Sequence, residues 1–378
     1  MKVLISDSMS EKAEEIFKNT PGLEVDVITG LKPEELKKII GDYAGLAVRS
    51  ATKATAEILD AAENLKVIGR AGTGVDNIDL KASTEKGIVV MNTPGGNTVT
   101  TAEHAISMMV ALSRNIPQAT ASMKKGLWEK KKFQGTELTG KTLGILGVGT
   151  IGSVVASRAQ GLKMDVISYD PFISPEAAEK LGITLVTIDE LYAQSDFISI
   201  HVPLTNDTKN LVNAESFAKM KDGVKLINCA RGGIVDEAAL VEAVKSGKVS
   251  GAAFDVFAKE PPDPDNPLLA LDEVIVTPHL GASTTEAQEN VAIAVANQMA
   301  DYLTTGTIKN AINVPSVPAE LLSVLNPYIS LTEKLGAFQG QLLTGGIEEV
   351  SIEYSGDVSD FDVSPVTIAC LKGLLGSV

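Results

Sequence analysis

The chain has 378 residues, 44% of them hydrophobic and 21% charged, which is material for two or three soluble domains with cores of their own. Its formal net charge of −15 argues against nucleic acid as a partner, and an anionic ligand would need a local cluster of Arg and Lys. Two cysteines, Cys229 and Cys370, exclude a disulfide framework; with no secretory-type start and no apolar run long enough for a bilayer, the expectation is a cytoplasmic protein without a membrane partner.

Strand and helix signals alternate over the first hundred residues. Lys2 to Ile5, Leu23 to Val27, Leu46 to Val48, Val67 to Ile68 and Ile88 to Met91 read as short strands, separated by helical stretches around Glu11 to Lys18, Pro33 to Ile40 and Ala54 to Ala62. That alternation predicts a parallel sheet covered by helices. Asn97 to Leu112 reads as a long apolar helix, and residues 116–140 as a more polar, irregular segment holding Trp128 and Lys130 to Lys132.

Residues 142–152, TLGILGVGTIG, follow. A strand-like run leads into Gly147, Gly149 and Gly152, and the next apolar run, Met164 to Tyr169, delivers Asp170 eighteen residues after the last glycine. Gly147 allows a tight turn, Gly149 lets the backbone approach a pyrophosphate, and Gly152 lets the helix pack against the strand. The helix N-terminus offers N–H groups to phosphates, and Asp170 is placed to accept from an adenosine ribose. Further strand-like runs recur at Thr184 to Val186, Phe197 to Ile200, Lys225 to Asn228, Gly251 to Asp255 and Val274 to Thr277, and a second long helix at Ser283 to Leu303. The tail holds Pro315, Pro318 and Pro327, a helix-like stretch from Pro327 to Leu343, a strand-like run Glu349 to Tyr354 and an apolar stretch Pro365 to Leu371.

Three positions carry candidate chemistry. Arg231, in NCARGGIVDE, follows a strand, where its guanidinium can grip a carboxylate; it fits a turn arginine equally well. His279, in VTPHLGAST, follows another strand and is a natural proton carrier near neutral pH; its alternative is a packed residue in the cleft wall. Glu260, in FAKEPPDPDNP, would orient His279 if the two touch, and is otherwise a solvated loop acid. His201 ends a strand and His104 lies within the first long helix. In GRAGTGVDNID the N–H groups of Thr73 and Gly74 could cradle an anion, or the loop is a tight turn with a helix starting at Asp76. Arg49 and Arg70 follow strand-like runs and together supply a positive patch.

The segments VRSATK (48–53), GRAGTGVDNID (69–79), GILGVGTIG (144–152), SYDPFISPE (168–176), NCARGGIVDE (228–237), AAFDVFAKEPP (252–262) and PHLGAST (278–284) together resemble the NAD-dependent D-2-hydroxyacid dehydrogenases, and within them the phosphoglycerate branch. The resemblance implies Arg231, Glu260 and His279 as the catalytic set. It implies an NAD site of Thr73, Gly147, Gly149, Thr150, Ile151, Gly152, Asp170, Val202, Pro203, Cys229, Ala230, Asp255, His279 and Gly281, with Val202 where a threonine is common. Substrate would meet Arg49, Arg70, Thr73, Gly74, Arg231 and His279, with Arg49 and Arg70 facing a phosphate and a lysine near 130 reaching over from a second subunit. The implied activity is oxidation of (2R)-3-phosphoglycerate to 3-phosphooxypyruvate, the first step of L-serine biosynthesis, with NAD as cofactor and no metal. The alternatives are a glyoxylate or hydroxypyruvate reductase and an NADH-sensing corepressor-like protein.

The architecture this implies is α/β: two doubly wound parallel-sheet domains, a Rossmann-type NAD domain (98–282) inserted in a flavodoxin-like substrate domain (1–97 and 283–310), and a partial third, intervening-type α/β segment (311–378). The two long helices are then the crossovers and the cleft lies between the domains. A homodimer or homotetramer is expected, with residues 113–140 in the contact.

Overall fold

A computed structural model of the chain describes every residue except 315–318, 344, 377 and 378. The chain divides into two compact units, Met1–Gly96 with Gln288–Val378, and Asn97–Ala287.

The first unit is built on five parallel strands, β1 (Lys2–Ile5), β2 (Glu24–Val27), β3 (Gly45–Val48), β4 (Val67–Arg70) and β5 (Val89–Met91), in the order β2-β1-β3-β4-β5. Side chains alternate between faces along each strand. Val3, Ile5, Ala47, Val67 and Val89 therefore join one core, and Leu4, Leu46, Val48, Ile68 and Val90 the other. The first core is closed by the helix Thr285–Thr305, through Val291, Val295, Met299 and Leu303. Gly69 is required on that face, because a Cβ there would fall on Met299 and Val295. The glycine-rich loop after β4 does not start a helix at Asp76; the helix is Leu80–Glu85, capped by the Asp79 carboxylate on the Ala82 N–H. Asp76 lies in a turn, and Asp79 supplies the cap three residues later.

The second unit holds seven parallel strands, β6 (Thr142–Leu146), β7 (Asp165–Tyr169), β8 (Thr184–Leu185), β9 (Phe197–Ile200), β10 (Val224–Asn228), β11 (Val249–Phe254) and β12 (Val274–Val276), in the order β12-β11-β10-β9-β6-β7-β8. Both sheets are doubly wound. In the second the strand order reverses between β6 and β9, and ligands of such sheets bind beyond the strand ends at that point. Gly147 and His201 stand just past those two strands. Cores on both faces of the sheet hold it rigid, one against the helix Thr98–Ser113 and the helix Thr150–Gly161 and the other against the helix Glu237–Lys245.

The tail groups with the first unit. Its helices Ala319–Leu342 and Ser364–Leu375 cross at two glycines. A Cβ on Gly336 would strike the Cys370 carbonyl, and one on Gly373 the Glu333 carbonyl, so only glycine permits backbones this close. The strand expected at Glu349 to Tyr354 is not formed: no ladder pairs that run among the described residues, and alternation without a partner strand does not make a sheet. Pro315 and Pro318 lie outside the described residues. Among the described residues no helix is long and apolar enough to cross a membrane.

Candidate active site

The fingerprint glycines meet three different surroundings. Gly147 has φ +89°, a region open to glycine, and a Cβ would lie 2.8 Å from Val202 Cγ1. At Gly152 a Cβ would fall on the Gly147 carbonyl, so the helix Thr150–Gly161 is packed tightly onto the turn it follows. At Gly149 a Cβ meets nothing within 4 Å, although this residue caps the helix. Its bareness thus answers no contact within the chain and leaves the backbone open to a close-lying group. Thr150 and Ile151 supply the first helical N–H groups, which carry a partial positive charge. Asp170, after β7, holds the turn together: Oδ2 accepts from the Val148 N–H at 2.7 Å and Oδ1 from the Phe172 N–H at 2.8 Å. Carboxylate oxygens have two acceptor sites each, so capacity remains for a diol. These residues fit a dinucleotide.

The strand ends beyond β9 to β12 carry the remaining groups. His201 is tied to Ser199 Oγ at 2.8 Å, and burial pushes its imidazole down to about 4, so near pH 7 the ring is neutral, with one N–H and one acceptor nitrogen. Val202 packs against the core beside it, and Pro203 follows. Cys229 is buried; burial, then the charge of Asp255, pushes its thiol up, leaving no thiolate. Ala230 donates its N–H to Asn228 Oδ1, and the Arg231 guanidinium donates to the Ala230 carbonyl at 2.7 Å.

His279 and Glu260 are brought together. Nδ1 of His279 lies 2.7 Å from Glu260 Oε2, while Glu260 Oε1 accepts from the Phe257 N–H at 3.1 Å. His279 has φ +54°, a conformation that non-glycine residues adopt only when held. The holder is Asp255, fully buried at the end of β11. Its carboxylate accepts from the Leu280 and Gly281 N–H groups at 2.7 Å each, and from Thr277 Oγ1 at 2.5 Å; its carbonyl accepts from the His279 N–H. His104 Nε2 stands 3.2 Å from both Thr277 Oγ1 and Asp255 Oδ1. Burial would raise the Asp255 carboxyl, but the hydrogen bonds from His104, Thr277 and Leu280 outweigh it and hold it below the usual range. The contact between His104 and Thr277 joins positions 173 residues apart, and no local signal in the sequence announces it.

In the first unit the candidate cations sit on a hydrogen-bonded frame. The Asp7 carboxylate accepts from the Arg49 N–H at 2.6 Å and from Thr52, while Asn77 Nδ2 donates to the carbonyls of Arg49 and Thr52. The Arg49 guanidinium donates to the Ser8 carbonyl at 2.8 Å. Gly72, at φ +147°, has no room for a side chain because the Arg70 guanidinium occupies it. The adjoining Thr73 and Gly74 are half-buried, and the Thr73 carbonyl accepts from Asn92 Nδ2.

The family profile "D-isomer specific 2-hydroxyacid dehydrogenase, NAD binding domain" matches residues 106–281, and "D-3-phosphoglycerate dehydrogenase intervening domain" matches 324–378. The D-3-phosphoglycerate dehydrogenase of Archaeoglobus fulgidus is 51% identical over 99% of this chain and 71% of its own length. That of Methanocaldococcus jannaschii is 48% identical over 100% of this chain and 72% of its own. The chain belongs to the D-3-phosphoglycerate dehydrogenase family. Among solved structures, a glyoxylate reductase from Paecilomyes thermophila superposes with a TM-score of 0.75 at 30% identity, covering 82% of this chain and 98% of that one. The protein is thus an NAD-dependent oxidoreductase of the 2-hydroxyacid dehydrogenase class.

Proposed function

We propose that the protein oxidises (2R)-3-phosphoglycerate to 3-phosphooxypyruvate, with His279 as the acid/base, Glu260 as its partner and Arg231 as the substrate clamp. The observation that carries this reading is the 2.7 Å contact between His279 Nδ1 and Glu260. With Nδ1–H directed at a carboxylate, the neutral ring presents Nε2 as an acceptor. Nε2 then takes the C2 hydroxyl proton, and Glu260 stabilises the imidazolium that results. NAD, when bound, accepts the hydride from C2. The Arg231 guanidinium grips the substrate carboxylate and lies against the oxygen on which charge develops, and Thr73 and Gly74 offer N–H groups to the same carboxylate. Arg49 and Arg70 receive the phosphate. Thr150, Ile151, Gly281 and the fingerprint glycines line the NAD site, and Asp170 selects NAD by repelling a 2′-phosphate.

We further propose a cytoplasmic homodimer or homotetramer in which residues 113–140 meet a second copy. Ile116, Met123, Leu127 and Trp128 are exposed there, Trp128 by 80%. NADH formation is the deciding assay, with 3-phosphoglycerate set beside glycerate, D-lactate and glycolate, and the reverse reaction run on hydroxypyruvate and glyoxylate. Turnover of 3-phosphoglycerate well above the others is expected; activity on hydroxypyruvate or glyoxylate alone would move the protein to the reductases.

A further inference from the structure

The loop that carries Glu260 is held at the peptide between Phe257 and Ala258 from two sides, by Gly232 in the turn after β10 and by Glu237 in the helix that follows it. Gly232 lies so close that any Cβ there would fall on the Phe257 carbonyl. Five residues on, Glu237, the first residue of the helix Glu237–Lys245, accepts the Ala258 N–H on Oε1 at 2.7 Å. Its Oε2 accepts from Asn266 Nδ2 at 3.0 Å, at the far end of the same proline-rich loop. Asn266 is itself fixed, since its Oδ1 caps the Leu268 N–H at 3.0 Å. One carboxylate thus fastens both ends of the segment 258–266. The residue next to the pinned N–H is Phe257, whose own N–H holds Glu260 Oε1 while Oε2 meets His279.

We infer that Glu237 is a positioning residue that sets Glu260 against His279. A glutamine at 237 could keep the Ala258 bond but would set its amide against the Asn266 amide, because Asn266 cannot turn without losing the Leu268 N–H. The inference rests on the acid/base reading of the His279–Glu260 pair. The test is a double-mutant cycle on the full chain, with kcat, the KM for 3-phosphoglycerate and the Kd for NADH measured on E237A, E237Q, E260A and E237A/E260A. E237A should lower kcat about tenfold with the NADH Kd unchanged, E237Q should lie between E237A and the parent, and E237A should add nothing once Glu260 is gone. An E237A effect of equal size in the E260A background, or one confined to thermal stability, would overturn the inference and leave the pair's role standing. A normal kcat for E260A would remove the acid/base reading itself, and the inference with it.

Discussion

The two sheets use glycine for opposite ends. After β4 in the first unit, the space beside Gly72 is filled by the protein's own Arg70 guanidinium. After β6 in the second, the space beside Gly149 is filled by nothing in the chain. The first glycine lets a cation fold back onto its own loop, and the second lets a backbone stand open to a ligand. The loops differ in the same sense. Arg49 is fixed through its backbone by Asp7 and Asn77, while its guanidinium rests on the Ser8 carbonyl through an exposed hydrogen bond that an anion can replace. His279 is fixed through its backbone by Asp255 and through its ring by Glu260, leaving a single nitrogen for chemistry. A group that binds charge tolerates play, whereas a group that moves a proton does not.

The largest expected effect therefore lies on the second sheet. His279→Ala should lower kcat by about 10²–10⁴ while NADH still quenches or enhances fluorescence on binding, and near-normal turnover would sink the assignment. The fingerprint glycines should separate by kind. Gly152→Ala forces a Cβ onto the Gly147 carbonyl and should cost about 1–3 kcal/mol in denaturant unfolding. Gly149→Ala should leave unfolding unchanged and raise the Kd for NADH; equal loss of stability in both would erase the distinction. On the first sheet, Gly72→Ala must displace Arg70, and should raise the KM for 3-phosphoglycerate about tenfold with kcat and NADH binding held. Asp170→Ala should act on the choice of cofactor rather than on turnover. The ratio of NAD to NADP efficiency should fall by about tenfold, and an unchanged ratio would count against its ribose role.

Much of this frame is legible in the chain because its signals are local. Short apolar runs mark the strands of both sheets, and the glycine spacing marks the turn after β6. What escapes is whatever depends on a distant partner. Glu349 to Tyr354 alternates like a strand and forms none, since alternation says which face would be buried but not what would pair with it. The loop at 69–79 shows its turn but misdirects the helix start, because Asp76 and Asp79 are both acids fit to cap and only the backbone that follows decides between them. Asp255 is readable as a strand-end acid near a cofactor, yet its carboxylate is engaged by Thr277, Leu280, Gly281 and His104, contacts spanning much of the unit. Glu237 begins a helix, and its hold on Ala258 and Asn266 exists only once the loop is folded back.

Trp128 is the chain's one indole and stands 80% exposed. Its emission is therefore a built-in dye on the segment proposed to meet a second copy. Dilution through the dissociation range should drift the spectrum to longer wavelength as water reaches the ring, so assembly can be followed without a label and without touching the chemistry around His279.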